Sequence, residues 1–155
     1  MMRIVLHVIY ILIGVGTLVI DRITKQWALQ LTADGIFVNQ FLSFDLVFNR
    51  GVTAGMLQSE SPLLFGVLSG LIAAIIVVLG VYTFYRHHRD YGIIGEVLTL
   101  SGAVSNLVDR YLFNGVVDFI HLSYGEYSFP IFNIADMCIV FGVAIIFIQS
   151  IREDS

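Results

Sequence analysis

The chain has 155 residues, 57% of them hydrophobic and only 13% charged, with a mean hydropathy of +0.88. That leaves too little polar surface to cover a soluble core of this size, which excludes an ordinary water-soluble domain and makes this a membrane protein. The net charge of −4 is thinly spread and forms no basic face, which excludes nucleic acid as a partner.

Crossing the roughly 30 Å of hydrocarbon takes roughly 20 mostly apolar helical residues, at about 1.5 Å of rise each. Four segments qualify: 4–20, 62–85, 91–108 and 131–150. No segment between them reads as a linker and no internal repeat is present, so 1–155 is expected to be a single domain. The first segment has only Arg3 before it, is followed by "DRITKQW" and lacks a small-residue cleavage site, so it reads as a retained span and not as a removable signal peptide. After it, residues 21–61 form a segment outside the bilayer. There "FLSFDLVFNRG" alternates Leu42, Phe44, Leu46 and Phe48 with Ser43, Asp45, Val47 and Asn49, the period of a half-buried strand. Between the second and third spans, "YRHHRD" is expected to be a tight loop flanked by interfacial Tyr82, Phe84, Tyr85 and Tyr91, with His87 and His88 solvated. A second outer segment, 109–130, precedes the last span, in which Cys138 is expected only to pack.

Charge counting leaves the orientation open. Arg3, Arg86, Arg89 and Arg152 fall on one side, and Arg22, Lys25, Arg50 and Arg110 on the other. The very short loop with Arg86 and Arg89 is the kind of segment the positive-inside rule weighs most, which tilts the reading toward cytoplasmic termini.

Ionisable groups in a span are costly and point to function. Asp21, Thr24 and Lys25 share one helical face at the outer end of the first span, where a helix-end ion pair would also explain Asp21 and Lys25. Asn106, Asp109 and Arg110 repeat that spacing on the third span, with Gly102 one turn earlier allowing close helix approach. Asn133 and Asp136 lie three apart on the fourth, and Asp118 in "VVDFIHL" is flanked by apolar residues. Glu96, toward the opposite end of the third span, is assigned to helix packing or an interfacial pair. Three polar faces at one depth imply a shared wet pocket in which Asp136 faces protein and water instead of lipid. Two carboxylates in such a pocket hold one proton between them, and the pair can activate water while hydrogen-bonding the carbonyl under attack. The histidines are scattered, with His7 deep in the first span and only His121 near the pocket, so neither a metal nor any other cofactor is expected.

The motifs "DRITK" (21–25), "FNRGVTAG" (48–55), "SGAVSNLVDR" (101–110), "VVDF" (116–119) and "FNIAD" (132–136) occur in one order over essentially the whole chain. In these the chain resembles the bacterial lipoprotein signal peptidases, the signal peptidase II family. The resemblance implies a multi-pass aspartyl endopeptidase of the bacterial inner membrane, without a metal, which removes the signal peptide of a prolipoprotein just before a diacylglyceryl-bearing cysteine. It implies Asp118 and Asp136 as the catalytic pair. Asn49, Gly51, Asn106, Asp109, Arg110, Asn133 and Ala135 would shape and brace the site, supported by Asp21 and Lys25. The family's fold is a four-helix membrane bundle with a small extracytoplasmic β-cradle and short helix. It puts both termini in the cytoplasm and the site toward the outer leaflet, in contact with membrane lipid; a monomer is expected. The chain departs from the family at Ser101 and Ser105, where glycines are usual; serine remains small enough for helix contact and can hydrogen-bond a neighbour. The rival reading is a small proton- or ion-coupled transport protein. Against it, the chain lacks inverted repeats and its polar groups stop at one leaflet unless Glu96 continues them.

Overall fold

A computed structural model of the chain describes residues 2–51 and 61–153. Its elements are α1 (Met2–Ala28), β1 (Ile36–Asn39), β2 (Leu42–Asn49), α2 (Pro62–His88), α3 (Ile94–Phe113), β3 (Val116–Tyr124), β4 (Tyr127–Ser128) and α4 (Ile134–Glu153).

The helices are set by local chemistry at their ends and by protein contacts along their length. α1 runs past residue 20, the expected end of the span, because Asp21 and Lys25 face other helices and need no water. At the start of α2, Ser61 Oγ accepts the Leu64 N–H at 3.4 Å and Pro62 occupies the first turn, where its missing N–H costs nothing. That helix continues through Arg86, His87 and His88, so the expected "YRHHRD" loop is in fact mostly a last helical turn. Cations suit a helix C-terminus, and buried Arg86 is fixed there by Glu96 (Nε to Oε1, 2.6 Å) and by Glu153 at 2.7 and 2.8 Å. The pairing expected of Glu96 is therefore with Arg86. His7 is not deep in the bundle either: it is exposed near the start of α1, with Nε2 2.8 Å from His87 Nε2. α3 closes on Asn114 in the left-handed conformation (φ 54°). α4 starts at Ile134, three residues later than expected. Phe132 is instead bridged to β3, its N–H donating to the Ile120 carbonyl (3.1 Å) and its carbonyl accepting the Ile120 N–H (2.8 Å).

α1, α2 and α4 are long and apolar enough to cross a membrane, and they expose side chains such as Ile11, Ile75 and Phe147 outward. α3 carries Glu96, Asp109 and Arg110 and packs against all three. Its approach to α4 depends on Gly102, where a Cβ would lie 2.5 Å from the Ala135 carbonyl oxygen. Burial is inverted relative to a soluble domain. Among the described residues, the largest side chains cut off from solvent are Lys25, Glu96, Val117, Asn133, Asp21, Asp109, Asp118 and Ser105.

The strands form one antiparallel sheet in the order β1-β2-β3-β4. Its apolar centre is Val117 and Phe119 against Ala28, with Phe44 and Leu46 packed on them. The alternation along β2 does not persist. Phe44 pairs with Ile120 but Val47 with Asp118, so β2 has one residue more than β3 across this stretch. This bulge reverses which side chains face inward: Phe48 is exposed and Asn49 is buried. No fifth helix occurs among the described residues, and residues 52–55 of "FNRGVTAG" lie outside them.

Candidate active site

Asn133 and Asp136 begin α4 as a reciprocal capping pair. Asn133 Oδ1 accepts the Asp136 N–H at 2.9 Å, and Asp136 Oδ2 accepts the Asn133 N–H at 3.4 Å. The carboxylate thus sits at a helix N-terminus, where N–H groups favour negative charge. The bridge between Phe132 and β3 brings this turn beside Asp118. Asn133 Nδ2 donates to Asp118 Oδ1 at 2.6 Å, while Asn49 Nδ2, turned inward by the bulge, donates to Asp118 Oδ2 at 3.0 Å. One side chain, Asn133, therefore bonds both carboxyl-bearing residues.

Behind this pair lies a buried charged cluster. Lys25 Nζ is 2.7 Å from both Asp21 Oδ2 and Asp109 Oδ2 and donates to Asn106 Oδ1 at 2.8 Å. With its oxygen occupied by Lys25, the Asn106 amide turns its Nδ2 to Asp136 Oδ1 at 2.8 Å. Asp21 Oδ1 accepts the Ala135 N–H at 2.8 Å, tying α1 to the first turn of α4. Asp109 also takes Arg22 Nη1 at 2.9 Å and the Val117 N–H at 3.3 Å. Asp109 thus braces Lys25 and Arg22 and not its helix neighbour Arg110.

Arg110 turns the other way. Its Nη2 donates to the Gly51 carbonyl, and its guanidinium carbon lies 5.6 Å from the centre of the Phe65 ring. Asn49 Oδ1 accepts the Gly51 N–H at 2.9 Å, so Asn49, Gly51 and Arg110 form one side of the site. Every residue singled out from the sequence as catalytic or supporting is thereby within one connected network, apart from Thr24, whose hydroxyl only caps carbonyls of its own helix. The sequence reading missed Arg22, and it gave Ser105 no partner. Ser105 Oγ in fact donates to Asp21 Oδ2 at 2.6 Å.

Asp118 and Asp136 open on one cavity of about 310 Å³, lined also by Asn49, Asn106 and Arg110 and walled by Ile72, Ile75, Ala103 and Ile139. A second, almost wholly apolar groove of about 360 Å³ between Phe129–Phe132 and α4 also reaches Asp136. Burial, and next the charge of Asp136, push the Asp118 carboxyl up to about 7, against the hydrogen bonds from Asn49 and Asn133 that favour its ionised form. Such a pair can keep one proton near neutral pH and pass it to and from a substrate. His121 faces away from the pair, on Asp45 (2.9 Å) and Ser128 (2.7 Å). Among the described residues no group of three or more His, Cys, Asp or Glu side chains is placed to hold a metal.

A family model described as signal peptidase (SPase) II matches residues 13–152. A lipoprotein signal peptidase of Clostridium novyi (strain NT) is 36% identical over 149 residues, covering 92% of this chain and 97% of the relative. One from Aquifex aeolicus (strain VF5) is 38% identical over 150 residues, 91% of this chain and 84% of the relative. A bacterial membrane enzyme structure solved by the in meso method at 2.3 Å superposes with a TM-score of 0.75 at 30% identity, over 94% of this chain and 89% of that one. A second, solved at 1.9 Å, gives 0.71 at 30% identity over 94% of each chain.

Proposed function

The chain belongs to the signal peptidase II family, and from that premise we propose that Asp118 and Asp136 are its catalytic pair. As an aspartic peptidase it removes signal peptides from prolipoproteins, and the reading as an ion-coupled transport protein is set aside. The observation that carries the assignment is Asn133, whose capping of α4 and 2.6 Å bond to Asp118 hold two carboxylates at the mouth of one cavity with apolar walls.

In the proposed reaction the pair begins with one proton, carried by Asp118. The Asp136 carboxylate takes a proton from water as its oxygen attacks the scissile carbonyl, and Asp118 donates to that carbonyl oxygen. The tetrahedral adduct then collapses: the C–N bond breaks, the nitrogen takes the proton from Asp136, and Asp118 recovers its own as the carboxyl product forms. Asn106, Asn133 and Asn49 donate to the carboxylates and keep them in place through the cycle. Asp21, Lys25, Asp109 and Ala135 brace α1, α3 and α4 behind them, and Arg110 with Gly51 closes the side.

The substrate is a prolipoprotein cut just before a cysteine that already bears diacylglycerol. The apolar walls and the adjoining apolar groove support a lipid-bearing substrate, because both arms of such a chain prefer hydrocarbon. All four helices span the inner membrane of a bacterium, α3 being tolerated there because its charged groups are paired inside the bundle. Both termini and the Arg86–Arg89 end are cytoplasmic, the sheet and catalytic pair lie toward the outer leaflet, and the chain works as a monomer. The test is cleavage by the purified protein in detergent of one precursor with and without diacylglycerol. Shortening of the modified form alone is expected, and equal rates on both would refute lipid recognition. Cysteine labelling at position 88 only from the cytoplasmic side is expected; labelling from outside reverses the topology.

A further inference from the structure

Ser105 lies on α3 between the helix contact at Gly102 and the charged pair Asp109–Lys25, immediately before Asn106. Its side chain is shut off from solvent and is not among those lining the cavity. Its Oγ donates to Asp21 Oδ2 at 2.6 Å, the same oxygen that lies 2.7 Å from Lys25 Nζ. The other oxygen, Oδ1, is left for the Ala135 N–H at 2.8 Å. One carboxylate thus collects a donor from α3, one from α1 and one from the first turn of α4, the residue before Asp136.

Glycine and alanine are small enough for the position, but neither carries the donor that serine supplies. Without it, Lys25 would be the sole partner of Oδ2, and the carboxylate could rotate to offer both oxygens to the ammonium. The Ala135 N–H would then lose its acceptor, and the turn that carries Asp136 would lose its tie to α1. A buried carboxylate with a donor fixed on each side has no such freedom. We propose that Ser105 is a positioning residue for the peptidase reaction, locking the Asp21 carboxylate so that it holds the Ala135–Asp136 turn at the catalytic cavity. This rests on Asp136 being catalytic. Because Ser105 does not touch the cavity, its contribution falls on turnover and not on substrate binding.

The test is steady-state cleavage of a lipid-modified prolipoprotein in detergent by the full chain and by Ser105→Ala, Ser105→Gly, Ser105→Thr and Asp136→Asn, each with its thermal unfolding recorded. A hydrogen bond to a charged group is worth about tenfold to somewhat over a hundredfold, so Ser105→Ala and Ser105→Gly should each lower kcat by at least about tenfold while KM stays within about twofold. Ser105→Thr, which keeps the hydroxyl, should recover most of that loss. If threonine does not fold, agreement between the alanine and glycine losses decides, since only the hydroxyl is common to both deletions. Unchanged kcat in folded Ser105→Ala, or a loss confined to KM, overturns the role of Ser105 provided Asp136→Asn is inactive. Persistent turnover by Asp136→Asn instead overturns the catalytic pair itself.

Discussion

Lys25 of α1 and Asp109 of α3 meet at 2.7 Å with neither side chain reaching solvent. The same ammonium serves Asp21 and Asn106, so it neutralises two buried carboxylates and sets the direction of the amide that donates to Asp136. Replacing it by a side chain of similar volume, Lys25→Met, leaves Asp21 and Asp109 short of their common cation. Removing one partner of a buried ion pair costs about 3–5 kcal/mol, and thermal unfolding in detergent should show a loss of that order along with reduced cleavage. A variant as stable as the parent would mean the cluster does not hold the helices together.

Asp118→Asn and Asp136→Asn should each remove nearly all turnover, since an amide keeps the shape but cannot pass a proton. General acid–base catalysis is worth about 10²–10⁴ in rate. The double variant should be little worse than either single one, because groups acting in one step are not additive. Single-turnover cleavage with a stability control is the measurement. More than about a tenth of the parent rate in a folded single variant contradicts the assignment.

The Asp118 carboxyl, pushed up to about 7, gives the reaction a descending alkaline limb: as pH rises through about 7 the pair loses its proton and cleavage falls. Asn49→Ala deletes a hydrogen bond that favours the ionised form, so that limb should move to higher pH. The sign for stability runs parallel. The folded value lies above the ordinary 3.8, so the stabilisation contributed by Asp118 is complete below about pH 4 and is lost as pH rises to about 7. Asp118→Asn should remove that part of the pH dependence of unfolding. Rate profiles flat across about pH 6–9 would exclude this titration.

Gly102→Ala should be costly for its size. The added Cβ would sit 2.5 Å from the Ala135 carbonyl oxygen and 2.9 Å from Ile139 Cγ1, so α3 and α4 must part. Overpacking of this kind costs about 1–3 kcal/mol, and turnover should fall with it, because Asn106 reaches Asp136 across the same contact. Gly16→Ala is the control, as nothing lies within 4 Å of its Cβ position. Equal unfolding temperatures for the two variants would contradict close packing at Gly102.

The constellation was legible because its members recur at helical spacing in an apolar background, where any carboxylate demands a reason: Asp21 with Lys25, Asn106 with Asp109, Asn133 with Asp136. Their partners were not legible. Ser105 bonds a residue 84 positions away and Arg22 one 87 away, and a periodic pattern says which face a side chain is on but not what stands opposite. Helix limits failed for a related reason. Hydropathy records where water would be tolerated, so it ended the first span at 20, yet α1 continues to Ala28 because its polar side chains are solvated by other helices. At Arg86 the chain stays helical in the presence of charge because Glu96 on the next helix and Glu153, 67 residues away, receive it.

The surplus residue in β2 uncouples the length of the strand from the facing of Asn49. Deleting Asp45 or Leu46 would let the strand match β3 rung for rung, and the result would be a straighter, more regular ladder. Beyond the deletion Val47 would still pair with Asp118 and Asn49 with Val116, so the facing of Asn49 toward Asp118 would not change. The bulge is a spacer that lets Phe44 and Asn49, an odd number of residues apart, share one face of the sheet. A single loss at 45–46 is absorbed there, whereas a single loss between Val47 and Asn49 would turn the amide to the opposite face.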